Sequence, residues 1–151
     1  MDVQIHRINS DANIPKYQTE GAACFDLEVI EDVTIEPSSI AYLPTGLVFV
    51  IPKGYYMAVV PRSSTPKTGL SIANSPGTVD SDYCGATDEV KIIVQNNTNK
   101  PVKVEKYQRI AQAMILPVPK IKFVEISKDK LSSKSRGGFG STGANSPVDT
   151  P

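Results

Sequence analysis

The sequence predicts an all-β domain, and three observations carry that prediction. Short β-branched and aromatic runs recur along the chain, separated by Pro, Gly, Asn and Asp. No window of eleven or more residues holds a helical stripe of apolar side chains. Proline, at 12 of 151 residues, exceeds its usual share of about 5%, which fits frequent punctuation between short elements.

The runs are, in order, residues 33–35 ("VTI"), 47–51 ("LVFVI"), 55–60 ("YYMAVV"), 90–94 ("VKIIV"), 102–104 ("VKV") and 113–118 ("AMILPV"). Each is rich in the branched or aromatic side chains that fit a pleated surface. Residues 52–54 ("PKG") and 96–101 ("NNTNKP") read as hairpin turns, since Pro, Gly and Asn supply the backbone angles of tight reversals. Thr78 and Val79 on one side, and Val90, Ile92 and Val94 on the other, read as two arms of a strand pair around Asp80, Asp82, Tyr83 and Gly85. Strands this short and this frequent predict a sandwich, jelly roll or barrel, without choosing among them.

Length and charge bound the function. A chain of 151 residues fits one domain with its own core. Sixteen basic residues balance sixteen acidic ones, so no global field drives stable nucleic-acid binding or adsorption to an acidic membrane, and any phosphate affinity must be local. Cys24 and Cys84 form no metal spacing, and His6 is the lone histidine, which leaves a zinc site or a His-centred triad without partners. No apolar segment has the length of a membrane span, and the start has no secretory pattern. The expectation is a soluble cytoplasmic protein.

The texture changes after Pro119. Residues 127–151 are almost wholly Ser, Gly, Lys and Asp, too polar to bury a core. The predicted organisation is a β domain over 1–126 and a flexible Gly-rich C-terminal tail over 127–151.

Five segments place polar or glycine residues where a β core does not need them: "GAACFDL" (21–27), "PRSS" (61–64), "NSPGTVDSDYCG" (74–85), "RIAQ" (109–112) and "RGGFGSTG" (136–143). Arg62 with Ser63 and Ser64 offers a guanidinium fork and two hydroxyls suited to phosphate oxygens, or equally a surface loop salt-bridged to a neighbour. In "RIAQ", alternation places Arg109 and Ala111 on one face and Ile110 and Gln112 on the other. In the tail, glycines around Phe139 let the backbone approach a ligand while one ring stacks, a contact of roughly 1–3 kcal/mol for a base. That segment is either a floppy tail or a lid that orders over a nucleotide.

Taken together, in this order and spacing, the five segments resemble the trimeric dUTP diphosphatase family from Gly21 to Gly143. The resemblance implies a β jelly roll, a homotrimer whose active sites are shared between subunits, and Mg2+-dependent hydrolysis of dUTP to dUMP and diphosphate by water attack at the α-phosphorus. It implies Asp80 as the carboxylate that activates the water, and residues 74–85 as the uracil reader. There Asn74 and the Val79 main chain meet the base, and Tyr83 packs under the deoxyribose. Arg62, Ser63, Ser64 and Gln112 match phosphate contacts, and Asp26 matches an aspartate that reaches magnesium through bound water. Arg136, Phe139, Gly140, Ser141 and Thr142 match the lid.

Three departures from the pattern stand out. Cys24 and Phe25 replace a usual glycine and tyrosine, Ala86, Thr87 and Asp88 are inserted between Gly85 and Glu89, and Arg136 stands three residues before Phe139, with Lys134 at the usual place of the cation. Two rival readings remain: a nucleotide-gated interaction protein on the same fold, and a relative of dCTP deaminase. Against the second, Ile93 occupies the place of that family's catalytic glutamate, and an aliphatic side chain cannot shuttle protons.

Overall fold

The computed structural model describes residues 1–138 and 141, and its regular elements are short strands: β1 (Gln4–Arg7), β2 (Phe25–Glu28), β3 (Val33–Ile35), β4 (Ile40–Pro44), β5 (Leu47–Val50), β6 (Tyr55–Pro61), β7 (Leu70–Ile72), β8 (Gly77–Val79), β9 (Lys91–Asn96), β10 (Val102–Val104) and β11 (Arg109–Pro117). Two single 3₁₀ turns, Thr65–Thr68 and Lys128–Lys130, are the only helical elements among the described residues. The all-β class is as expected. All strands among the described residues fall in one compact unit, Met1–Lys120; a second unit, Ile121–Pro151, carries no strand among its described residues.

Every ladder is antiparallel. The largest sheet runs β2-β11-β6-β8, a second runs β4-β9-β7, and two ribbons pair β1 with β5 and β10 with β3. Alternation sorts the side chains: along β9, Ile92, Val94 and Asn96 are buried while Lys91 is exposed. Leu27, Val29, Leu43, Met57, Ile92, Val94, Val104, Ala111 and Ala113 are fully buried and, with Phe49, form one core shared by strands of all four sheets.

Both predicted hairpins are turns of another kind. Tyr55 N–H closes on the Pro52 carbonyl at 3.1 Å and Gly54 takes a φ of 85°, so the reversal is there. Its flanking strands nevertheless pair elsewhere, β5 with β1 and β6 with β11 and β8. Likewise residues 96–101 pass from β9 to β10, which lie in different ladders. That passage is fixed by Asn96, which is fully buried. Its amide donates to the Ile35 and Lys100 carbonyls at 2.9 and 2.8 Å, and its Oδ1 accepts from Thr98 N–H and Oγ1 at 2.9 and 2.8 Å. A buried amide with all these bonds made stabilises a turn that would otherwise leave carbonyls orphaned.

The simple alternation expected for residues 109–112 is also broken. The register with β2 shifts between Arg109 and Ala111, so Ile110 and Ala111 are both buried at a bulge.

Candidate active site

Residues 74–83 meet β9 around a cavity of 280 Å³ lined by Tyr42, Asn74, Thr78, Val79, Asp80, Tyr83, Glu89, Val90, Lys91 and Ile93. The expected arms do not pair with each other: β8 pairs with β6, and β9 lies between β4 and β7. Each is held by its own sheet, and the gap between them is the pocket. Because β8 is an edge strand, main-chain groups on the side away from β6 have no ladder partner and can serve a planar ligand. Ile93 stands in the wall of this pocket, where the deaminase reading needs a carboxylate.

Asn74 packs over Gly77, where a Cβ would stand 3.1 Å from its Nδ2. Asp80 follows β8 directly, is exposed, and also borders a second hollow of 770 Å³ with Lys53, Tyr55, Tyr56, Asp82 and Lys120. Tyr83 N–H donates to the Asp80 carbonyl at 3.2 Å, and its hydroxyl donates to the Glu89 carbonyl at 3.2 Å. A phenol and a carboxylate are thus brought to one rim by a single turn.

The second cluster gathers at the other end of the large sheet. Asp26, on β2 and 8% exposed, accepts Arg62 Nε on Oδ1 at 2.7 Å and Arg109 Nη1 on Oδ2 at 3.1 Å. Arg62 Nη1 also donates to Ser64 Oγ at 3.2 Å and to the Arg109 carbonyl at 3.1 Å, and among the described residues its second amino group has no partner. Gln112, in register with Asp26, donates to the Pro61 carbonyl at 3.0 Å, while Ser63 and Ser64 are exposed beside it. One carboxylate facing two guanidinia leaves the cluster with a net positive charge suited to phosphate. The same carboxylate, together with burial as the larger cause, pushes the Cys24 thiol above the ordinary thiol range.

Two residues of this cluster are not evident from the sequence. Thr65 is buried, and its hydroxyl donates to the Ile110 carbonyl at 2.8 Å while accepting Arg62 N–H at 2.9 Å, which pins the arginine loop to β11. Arg109 reads in the sequence only as part of a strand. The proline after Thr65 marks a loop, but nothing in the sequence announces pairs across such separations.

The two clusters lie well apart within one chain. Val79 lies opposite Met57, so Asp80 stands level with Tyr56, and Arg62 follows six residues farther along. At about 3.3 Å per residue that is roughly 20 Å. The structure therefore brings together Asn74, Val79, Asp80 and Tyr83 at one end, and Asp26, Arg62, Ser64 and Gln112 at the other.

In the second unit, Arg136 and Ser141 are exposed. Lys134 N–H donates to Ser132 Oγ at 3.3 Å, and Ser141 N–H to the Gly138 carbonyl at 3.0 Å. Phe139, Gly140 and Thr142 lie outside the described residues.

For magnesium, the donor set does not fit a resident ion. Both Asp26 oxygens already accept from guanidinium groups, and no three His, Cys, Asp or Glu side chains converge among the described residues.

The chain matches the family model described as dUTPase over residues 10–143. A Nautilia profundicola protein named deoxyuridine 5'-triphosphate nucleotidohydrolase is 43% identical over 144 residues, 95% of this chain and 99% of that one. A Helicobacter pylori protein of the same name is 41% identical, over 95% of this chain and 97% of that one. Among solved structures, the dUTPase of Staphylococcus bacteriophage 80alpha with dUPNHPP aligns with a TM-score of 0.79 at 25% identity, covering 95% of this chain and 99% of that one. The dUTPase of Streptococcus mutans aligns at 0.72 and 28% identity, covering 79% and 98%. The fold of these neighbours is the jelly roll that the family resemblance implied. Agreement of this length in both sequence and fold leaves one conclusion: the chain belongs to the dUTPase family.

Proposed function

We propose that the chain hydrolyses dUTP to dUMP and diphosphate, removing a nucleotide that would place uracil in DNA and supplying dUMP for thymidylate synthesis. The observation that carries this reading is the base-sized pocket against the edge strand β8, with the exposed Asp80 carboxylate on its rim. Main-chain groups of β8, together with Asn74, read the donor and acceptor order of uracil. Cytosine would leave polar groups unpaired there, which discriminates by powers of ten. Tyr83 walls the sugar, where a ribose hydroxyl has no room.

Asp80 orients a water and takes its proton as the oxygen attacks the α-phosphorus, and diphosphate leaves with the bonding electron pair. Arg62, Ser63, Ser64 and Gln112 hold the phosphate oxygens, and Arg136, Phe139, Gly140, Ser141 and Thr142 close over the nucleotide. Magnesium would supply neutralisation of the triphosphate charge, and Asp26 would reach it through water at most.

Since Asp80 and Arg62 are roughly 20 Å apart along β6, a complete site draws on more than one copy, which supports a homotrimer with shared sites. No described helix is long and apolar enough to cross a membrane; we place the enzyme in the cytoplasm.

The test is diphosphate release from dUTP, dTTP, UTP and dCTP at equal concentration. Turnover of dUTP far above the other three is expected. Equal rates on all four would refute the reading.

A further inference from the structure

The loop between Asp80 and Glu89 is built from two closed turns. The first returns Tyr83 N–H to the Asp80 carbonyl. The second is closed twice: Asp88 N–H donates to the Gly85 carbonyl at 3.0 Å, and Gly85 N–H donates to Asp88 Oδ2 at 2.7 Å. The carboxylate lies so close over Gly85 that a Cβ there would meet Oδ2 at 2.9 Å.

A clasp comes directly after the second turn. The Glu89 carbonyl accepts the Tyr83 hydroxyl, and its Oε1 accepts Gly46 N–H at 2.8 Å. Thr45, 1% exposed, donates its hydroxyl to the Val90 carbonyl at 2.5 Å, and Val90 N–H donates to the Leu47 carbonyl at 2.9 Å. Gly46 itself has a φ of 67° and would meet Ala12 Cβ at 2.9 Å if it carried a side chain, so the clasp sits on a position that only glycine fills. Glu89 is therefore fixed to the core on one side and to the pocket tyrosine on the other.

Residues 86–88 lie between these fixed ends. Three extra residues add little to loop-closure entropy, but they bring three more main-chain donors and acceptors and no apolar anchor, since Ala86 and Thr87 are exposed. The Asp88 carboxylate ties that length into a single turn. Resting on the dUTP reading, we propose that Asp88 is a positioning residue of the base pocket: by closing the added turn on Gly85 it presents the Glu89 carbonyl to Tyr83, and so holds the phenol in the pocket wall.

The experiment compares the full-length parent with Asp88→Ala, Asp88→Asn and a chain lacking residues 86–88, by steady-state kinetics on dUTP and UTP and by calorimetric titration with dUMP. Loss of one charge-assisted tie is expected to weaken dUTP KM and dUMP Kd about five- to tenfold in Asp88→Ala, with kcat within about twofold. Asp88→Asn keeps an acceptor oxygen and should stay within about twofold of the parent, and the shortened chain should return to parental KM because the turn that needs the tie is gone. The preference for dUTP over UTP should narrow in Asp88→Ala alone.

Parental KM and Kd in Asp88→Ala overturn the proposal, as does an equal loss in Asp88→Asn, or a loss of kcat that tracks a falling Tm. Should the shortened chain fail to fold, the Ala and Asn pair decides by itself. A parent that binds dUMP yet does not turn over dUTP refutes the functional reading while the dUMP comparison still tests Asp88; a parent that binds no dUMP overturns both.

Discussion

Mixing two inactive variants tests whether one catalytic site spans two chains. Asp80→Asn removes the carboxylate from the base pocket. Arg62→Gln removes the free guanidinium donors of the phosphate cluster while keeping an amide that can donate to Asp26. Each variant alone is expected to lose about 10²-fold or more of dUTP turnover. Asp80 and Arg62 lie toward opposite ends of β6, and under the proposed shared site each site of a closed cyclic assembly takes one group from a given copy and the other from its neighbour. After random exchange at equal amounts, each group is intact in half of the copies. Both are intact at about a quarter of the sites, and about a quarter of parental turnover should return whatever the number of subunits. The assay is diphosphate release from co-refolded mixtures, with exchange verified by native mass spectrometry of a mass-tagged partner. If exchange is complete and activity stays at the sum of the two variants, each chain completes its own site, and the separation read from the β6 register does not govern catalysis.

Asn96→Ala should destabilise the chain by roughly 3 kcal/mol, a fall in Tm on the order of 10 °C, because it leaves two carbonyls and a turn without their buried partner; a change under about 2 °C by calorimetry would refute this. Cys24 should be alkylated by iodoacetamide at pH 7.5 more slowly than a small free thiol, since burial and the Asp26 charge both disfavour its thiolate. The rate should climb with pH beyond the ordinary thiol range, and Asp26→Asn should speed it; a rate unmoved by that substitution would remove the carboxylate from the account. Deleting residues 136–151 should leave unfolding unchanged, because every strand among the described residues lies in Met1–Lys120, while turnover of dUTP collapses; full activity would make the tail a passenger.

The legible parts of this protein are those whose physics is local. Residues 33–35 and 102–104 are strands over the bounds read from the sequence, and residues 55–60 lie inside a strand longer by one residue, because branched and aromatic side chains state a pleated preference within a few positions. The motif around Asp80 and Tyr83 is readable for the same reason: one turn sets both residues. The strands that the sequence does not announce carry no such run. β1 reads Gln-Ile-His-Arg with only Ile5 partly covered, and β8 reads Gly-Thr-Val, so their strand character comes from the partner they pair with.

The differences between sequence and fold share one cause. Proline, glycine and asparagine at residues 52–54 and 96–101 fix backbone angles, and the chain does reverse there, but angles do not name the strand that will sit alongside, so two real turns look like hairpins and are not. The Asp26 cluster shows the same limit in charge. Its arginines stand 36 and 83 residues away in sequence, and only the β2-β11-β6 ladder brings them onto one carboxylate. Asp26 looks on paper like an unoccupied acid awaiting a cation, and in the fold its charge is already answered by two guanidinia. A carboxylate so committed orients both guanidinium forks, and the surplus of positive charge that the pairing leaves at this end of the sheet is what the proposed phosphate contacts need.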